Sequence, residues 1–88
     1  MPLVFFHQNY LEQLVVDPDG SHHADLQSAK SEAVSAIREL AAQCLREGKE
    51  FKLWSIRVCD AEGNTLSEVF VQDALAGIIP PSVLHLSR

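Results

Sequence analysis

Residues 25–48 read DLQSAKSEAVSAIRELAAQCLREG, and this stretch decides the fold. Asp25 is a favourable helix N-cap, and Gly48 is a favourable residue for ending a helix. Between them, apolar residues recur at spacings of three and four, which is the pattern of an amphipathic helix with one buried face. The sequence therefore predicts a helix over Leu26 to Glu47. Its apolar face carries Leu26, Ala29, Ala33, Ile37, Leu40, Ala41 and Cys44.

Short β-strands are predicted on both sides of this helix. Residues 3–8 are apolar on both faces, which is typical of a central strand, and residues 13–16 form a short second strand. After the helix, residues 53–60 alternate between apolar and polar side chains, and residues 65–71 supply a fourth strand. In the third strand the alternation assigns Trp54, Ile56 and Val58 to the core.

Two turns with similar chemistry follow the second and third strands, Asp17-Pro18-Asp19-Gly20 and Asp60-Ala61-Glu62-Gly63. In each, the leading Asp side chain can accept backbone hydrogen bonds and the Gly supplies conformational freedom. In the strand after the second turn, Leu66, Val69 and Val71 can share one face only if a bulge intervenes.

These elements predict an α+β domain of order ββαββ over residues 1–75, with one four-stranded, mainly antiparallel sheet and a single helix on one face. Since one helix covers only one face, the other face needs a second cover or stays exposed to water. The tail, residues 76–88, is apolar and contains Pro80-Pro81, which rules out a continuous helix. We expect it to lie across its own sheet or against a second copy. Its predicted interface residues are Ile78, Ile79, Val83, Leu84 and Leu86.

Composition limits the classes of function. The chain has 88 residues and a net charge of −5, so it is one small acidic domain, and backbone binding to DNA or RNA is not expected. No stretch is apolar enough to span a bilayer, and the N-terminal residues lack the features of a signal peptide, so a cytoplasmic location is expected. Two cysteines, Cys44 and Cys59, are too few for a disulfide framework.

Residues able to carry chemistry are few. His22 and His23 lie between Asp19 and Asp25, which makes them candidate metal ligands, but their spacing matches no known metal motif. A solvated turn before the helix cap explains the same residues. His7 lies in the first strand, where a hydrogen-bonded structural role is the simpler interpretation. With no nucleophile elbow and no glycine-rich phosphate loop, neither enzymatic activity nor a cofactor is predicted.

The order and spacing of these patterns resemble a family of short bacterial proteins classed as a domain of unknown function. The resemblance covers about residues 3 to 75 and implies the fold without implying an activity. The residues that carry it are Phe5-Phe6-His7, Asp17-x-x-Gly20, Asp25-Leu26-x-x-Ala29 with Ala33, Trp54-x-Ile56-x-Val58-x-Asp60-x-x-Gly63, and Leu66-x-x-Val69-x-Val71-x-Asp73-Ala74.

The leading functional hypothesis is a non-enzymatic protein-interaction module that forms a homodimer through the sheet or the apolar tail, with an unknown protein as a further partner. The alternative is a small-molecule or metal-binding domain that uses His7, His22, His23 and nearby carboxylates.

Overall fold

A computed structural model describes residues 3–76 and 78, and it places them in one antiparallel sheet with a long helix on one face. The strand order is β2-β1-β4-β5, and β3 pairs with another part of β1. The predicted α+β class and four-stranded sheet are confirmed; the two-residue β3 and the short α2 are additions. The elements are β1 (Leu3–Tyr10), β2 (Leu14–Val15), β3 (Ser21–His22), α1 (Leu26–Glu47), β4 (Leu53–Cys59), β5 (Thr65–Phe70) and α2 (Val71–Leu75).

The helix α1 begins and ends where its capping residues predict. The Asp25 Oδ1 atom accepts a hydrogen bond from the Ser28 N–H at 2.8 Å, which satisfies one of the free donors of the first turn. Gly48 ends the helix at φ 66°, in the left-handed region that glycine adopts without strain. The helix bounds therefore depend on local chemistry that the sequence alone reveals.

The core lies between α1 and the central strands β1 and β4. The buried helix residues include two alanines, Ala29 and Ala33, whose small side chains let the helix axis approach the sheet closely. Ile37 fills the space one turn further along the helix. The remaining buried members of this cluster are Val4, Leu53, Ile56, Val58, Val69 and Ala74.

The assignment of Trp54 to the core is wrong, and a β-bulge is the reason. Tyr10 pairs with Leu53 and Asn9 pairs with Ser55, so Trp54 is an extra residue in β4. The bulge moves Leu53 into the buried cluster, in the place that the simple alternation gives to Trp54. The Trp54 side chain is 54% exposed.

A second bulge lies in β5, where the imperfect alternation predicts one. Val58 pairs with Ser67 and Cys59 pairs with Thr65, which leaves Leu66 as the extra residue. Val69 is buried against the helix, whereas Leu66 is exposed. Regular pairing between β4 and β5 therefore runs from the pairing of Ser55 with Phe70 to the pairing of Val58 with Ser67, and it is interrupted at Leu66.

Two further expectations have partial outcomes. β1 runs to Tyr10, two residues beyond the predicted strand at residues 3–8, and the Tyr10 N–H donates to the Gln13 carbonyl at 2.8 Å across the turn that follows. Of the predicted interface residues in the tail, Ile78 is exposed. Ile79, Val83, Leu84 and Leu86 lie outside the described residues.

Neither helix in the part of the chain that the structure describes has the length and apolar character needed to cross a bilayer.

The bulge at Trp54 makes a testable prediction about stability. Ile56→Ala removes a fully buried side chain and should lower the free energy of unfolding by about 2–5 kcal/mol. Trp54→Ala removes a mostly exposed side chain and should cost about 1 kcal/mol or less. Urea unfolding followed by circular dichroism measures both values. A larger loss for Trp54→Ala than for Ile56→Ala would contradict the described bulge.

Candidate functional site

The sheet face opposite α1 is the main candidate site. No described helix packs over it, although the turn at residues 17–20 lies against Phe5 and His7 at one margin, and we call it the open face. The strand register places its side chains in three rows across the sheet. The first row is Phe5, Cys59 and Thr65; the second is His7, Arg57 and Glu68; the third is Leu14, Asn9, Ser55 and Phe70.

Polar side chains hold the centre of the open face. The Ser55 hydroxyl donates to Glu68 Oε2 at 2.5 Å, and Arg57 Nε lies 3.7 Å from the same oxygen. Ser55 is fully buried among its larger neighbours, whereas the Arg57 side chain is partly exposed. The Glu68 carboxylate is therefore fixed in place from two sides, beside a cation that still faces solvent.

Apolar side chains lie at the margins of this polar centre. Leu14 is 48% exposed and Phe70 is 39% exposed, and both lie in the third row. Phe70 and Trp54 also line a groove of about 450 Å³ at the end of β4 and β5. Exposed apolar side chains that lie together on one sheet face are a feature of surfaces that bind other proteins.

The turn at residues 17–20 is fixed to β1 by the Asp17 side chain. Asp17 Oδ2 accepts the Phe6 N–H at 3.1 Å, and Oδ1 accepts the N–H groups of Asp19 and Gly20 at 3.1 and 3.2 Å. The Asp17 N–H in turn donates to His7 Nδ1 at 3.1 Å. This arrangement requires a lone pair on Nδ1, so the proton of a neutral His7 ring lies on Nε2.

Gly20 allows the turn to approach β1 this closely. Its φ is +73°, and a Cβ at this position would lie 2.9 Å from both a Phe5 ring carbon and the Val4 carbonyl oxygen. Glycine is thus required for both its backbone conformation and its lack of a side chain. The sequence predicts the first requirement from the turn pattern, and only the tertiary structure reveals the second.

The network around Asp17 changes its acid–base behaviour. Partial burial acts to raise the pKa of Asp17, but the hydrogen bonds from three backbone N–H groups outweigh it. The nearby His7 adds a smaller effect in the same direction as those hydrogen bonds, so the net pKa lies below the ordinary value of 3.8. The charged carboxylate therefore stabilises the fold.

Asp60 forms a similar turn without reaching another strand. The side chain and backbone N–H of Asn64 donate to its carboxylate and lower the pKa of Asp60, assisted by the Glu62 N–H. All these partners lie within four residues of Asp60, so this turn stabilises only its own hairpin. Two turns of similar sequence thus have different structural roles.

The histidines proposed as ligands do not share one site. His7 lies on the open face, whereas the His23 ring packs edge-on against Phe6, whose side chain lies on the helix side, with ring centroids 5.3 Å apart. His22 and His23 line a groove of about 370 Å³ between the sheet and α1. Asp19 is exposed in its turn. Within residues 3–76 and 78, no three His, Cys, Asp or Glu side chains form a group able to hold a metal ion.

The comparison with known proteins concerns almost the whole described part of the chain. A family model described as a domain of unknown function, DUF6894, matches residues 3–72. This match runs from β1 into the first turn of α2, and it confirms the resemblance to a family of that class. No curated protein and no solved structure matches the chain.

The Asp17 network makes a testable prediction about pH. Asp17→Asn removes a charged acceptor and should lower the free energy of unfolding by about 1–3 kcal/mol near neutral pH. Because the folded-state pKa is lowered, the contribution of Asp17 is complete above the unfolded-state value. It is lost as the pH falls through the folded-state value, so the gap between wild type and variant should close in acid.

Urea unfolding at a series of pH values measures this gap. Asp19→Asn is the matched control, because the Asp19 side chain belongs to the same turn but accepts none of these hydrogen bonds. A gap between wild type and Asp17→Asn that does not change with pH would show that the carboxylate charge is not what stabilises the turn.

Proposed function

The chain belongs to this family of domains of unknown function, and we propose that it acts as a non-enzymatic protein-interaction module that forms a homodimer through the open face. The observation that carries the proposal is the exposed apolar margin around a fixed polar centre on that face. Exposed apolar side chains on a sheet face that no described helix covers are typical of a protein–protein contact.

Charge on the open face favours a second copy as the occupant. Arg57 and Glu68 lie side by side on β4 and β5. A two-fold axis can run parallel to the strands, above the open face and midway between β4 and β5. Rotation about this axis brings Arg57 of each copy over Glu68 of the partner subunit. The symmetry produces this contact twice, which is how one surface becomes complementary to itself.

The same axis also covers apolar surface. Since Ser55 pairs with Phe70, the rotation places each Phe70 ring over Ser55 of the partner subunit. Ser55 is fully buried by its larger neighbours, so the ring would pack on the side chains that cover Ser55. Side chains of two facing sheets interdigitate in this way in β-sandwiches.

The metal-site alternative gains no support from the placement of its residues. His7 lies on one side of the sheet and His23 on the other. The groove beside His22 and His23 would be the site for a small molecule, with Phe6 and Ile56 as its apolar floor. Three statements stay predictions: this alternative, self-association through the tail, and a cytoplasmic location.

Dimer formation can be measured by sedimentation velocity over a range of protein concentrations. The wild type should be a dimer, and Phe70→Ser should weaken the dimer by about tenfold or more, since it removes an aromatic side chain from the interface. Arg57→Glu should also weaken the dimer, because the new Glu side chain of each copy would face Glu68 of the partner subunit. The double variant Arg57→Glu with Glu68→Arg should restore it.

The control for these variants is Leu45→Ser, which removes an apolar side chain that is 77% exposed on α1, away from the open face. It should leave the dimer unchanged. Circular dichroism confirms that each variant is folded. A wild type that is a monomer at every concentration, up to that of an NMR sample, would refute the proposal.

A further inference from the structure

The outer edge of β5 is a second surface without a partner, distinct from the open face. β5 is the last strand of the sheet and, within residues 3–76 and 78, pairs only with β4. An edge strand presents a row of free N–H and C=O groups, which proteins usually shorten, charge or cover. The other edge is shortened, since β2 and β3 have two residues each.

β5 lacks the usual protective features of an edge. It has six residues, Thr65–Phe70, and contains neither lysine nor proline. Its one charged residue, Glu68, is turned to the open face, where it accepts the Ser55 hydroxyl. After the bulge at Leu66, the segment from Ser67 to Phe70 is regular and free to pair on its outer side.

A groove runs beside this edge, between β5 and α1. It has a volume of about 290 Å³. On the α1 side it is lined by uncharged side chains and one lysine. The lining includes Lys30, Ser31 and Val34 from α1, Ser67 and Phe70 from β5, and Asp73 from α2. An edge strand beside a helix is the arrangement that binds an extended peptide by strand addition.

Three charged residues line the groove. Because a hydrogen bond and an ion pair engage Glu68 on the open face, the other two, Lys30 and Asp73, give the groove a direction. Lys30 is half-buried and Asp73 is exposed, and neither belongs to an ion pair within the described residues. Arg38 donates its Nε–H to the Ala74 carbonyl at 3.2 Å, so the C-terminal direction of α1 leads towards α2. Asp73 therefore lies at the α2 end of the groove, and Lys30 lies about two helical turns, or roughly 12 Å, before Arg38.

We propose that this groove binds an extended segment of another protein, which adds to the sheet as a strand antiparallel to β5. An antiparallel strand starts at the α2 end, so a basic side chain near its start would face Asp73. An acidic side chain four residues later would reach Lys30, because four residues of strand span about 13 Å and point the two side chains to the same face. The ligand is thus an extended segment with the pattern basic-x-x-x-acidic.

A second copy of β5 does not fit this groove. Residues 65–70 contain no basic side chain to face Asp73. A two-fold antiparallel pairing of β5 centred on Glu68 would also place two Glu68 carboxylates directly opposite each other, which destabilises the pair. The proposal is therefore independent of the homodimer through the open face, and either can fail without the other.

The test is a titration of ¹⁵N-labelled protein with two short peptides, acetyl-TKVTVET-amide and its charge-reversed form acetyl-TEVTVKT-amide. The first should bind about tenfold more tightly than the second, because both of its charges are complementary to the groove. Binding should slow amide hydrogen exchange at alternate residues of β5, whose outward N–H groups gain acceptors. The double variant Lys30→Glu with Asp73→Lys should reverse the preference.

The double variant Lys52→Glu with Glu50→Lys is the matched control, since it also exchanges two opposite charges without changing the net charge but lies outside the groove. It should leave the preference unchanged. Equal affinity for the two peptides, or binding without slower exchange in β5, would overturn the proposal. Slow exchange of the outward β5 amides in the protein alone, increasing with protein concentration, would overturn it in favour of a second copy on this edge.

Discussion

The packing of α1 against the β4–β5 side of the sheet is the interaction on which the rest of the structure depends. Ala29 and Ala33 let the helix approach the sheet, and Ile37, Ile56 and Val58 then exclude water from the space between them. Because this contact uses the only long helix in the described chain, the opposite sheet face and the outer edge of β5 are left without a helix over them. The location of both proposed interaction surfaces is therefore a consequence of where the helix packs.

Local chemistry made much of this fold predictable. The helix bounds follow from Asp25 and Gly48, and four of the five strands follow from their apolar patterns and the two Asp-led turns. The position of Trp54 was not predictable in the same way, because a bulge shifts the alternation by one residue and leaves no local mark in the sequence. Large aromatic side chains suggest burial, and here the register decides against it.

The candidate site was less predictable than the fold, and the reason is also physical. The Asp17 network depends on residues that lie ten or eleven positions apart in the chain. The Ser55–Glu68 hydrogen bond likewise joins two different strands. A turn pattern indicates that Asp17 accepts hydrogen bonds nearby, but only the tertiary structure shows that one of its donors belongs to β1. Single-sequence patterns cannot identify groups whose relation is created by folding.

The two bulges also affect how far the sheet could grow. A bulge increases the local right-handed twist of a strand pair; one bulge lies in the β1–β4 ladder at Trp54 and the other in the β4–β5 ladder at Leu66. Repetitive stacking of identical strands into fibrils needs long, flat edges that stay in register over many copies. A short, strongly twisted edge can accept one further strand and then offers a poor template for the next. The domain can thus expose an edge strand for recognition while the same geometry limits runaway polymerisation.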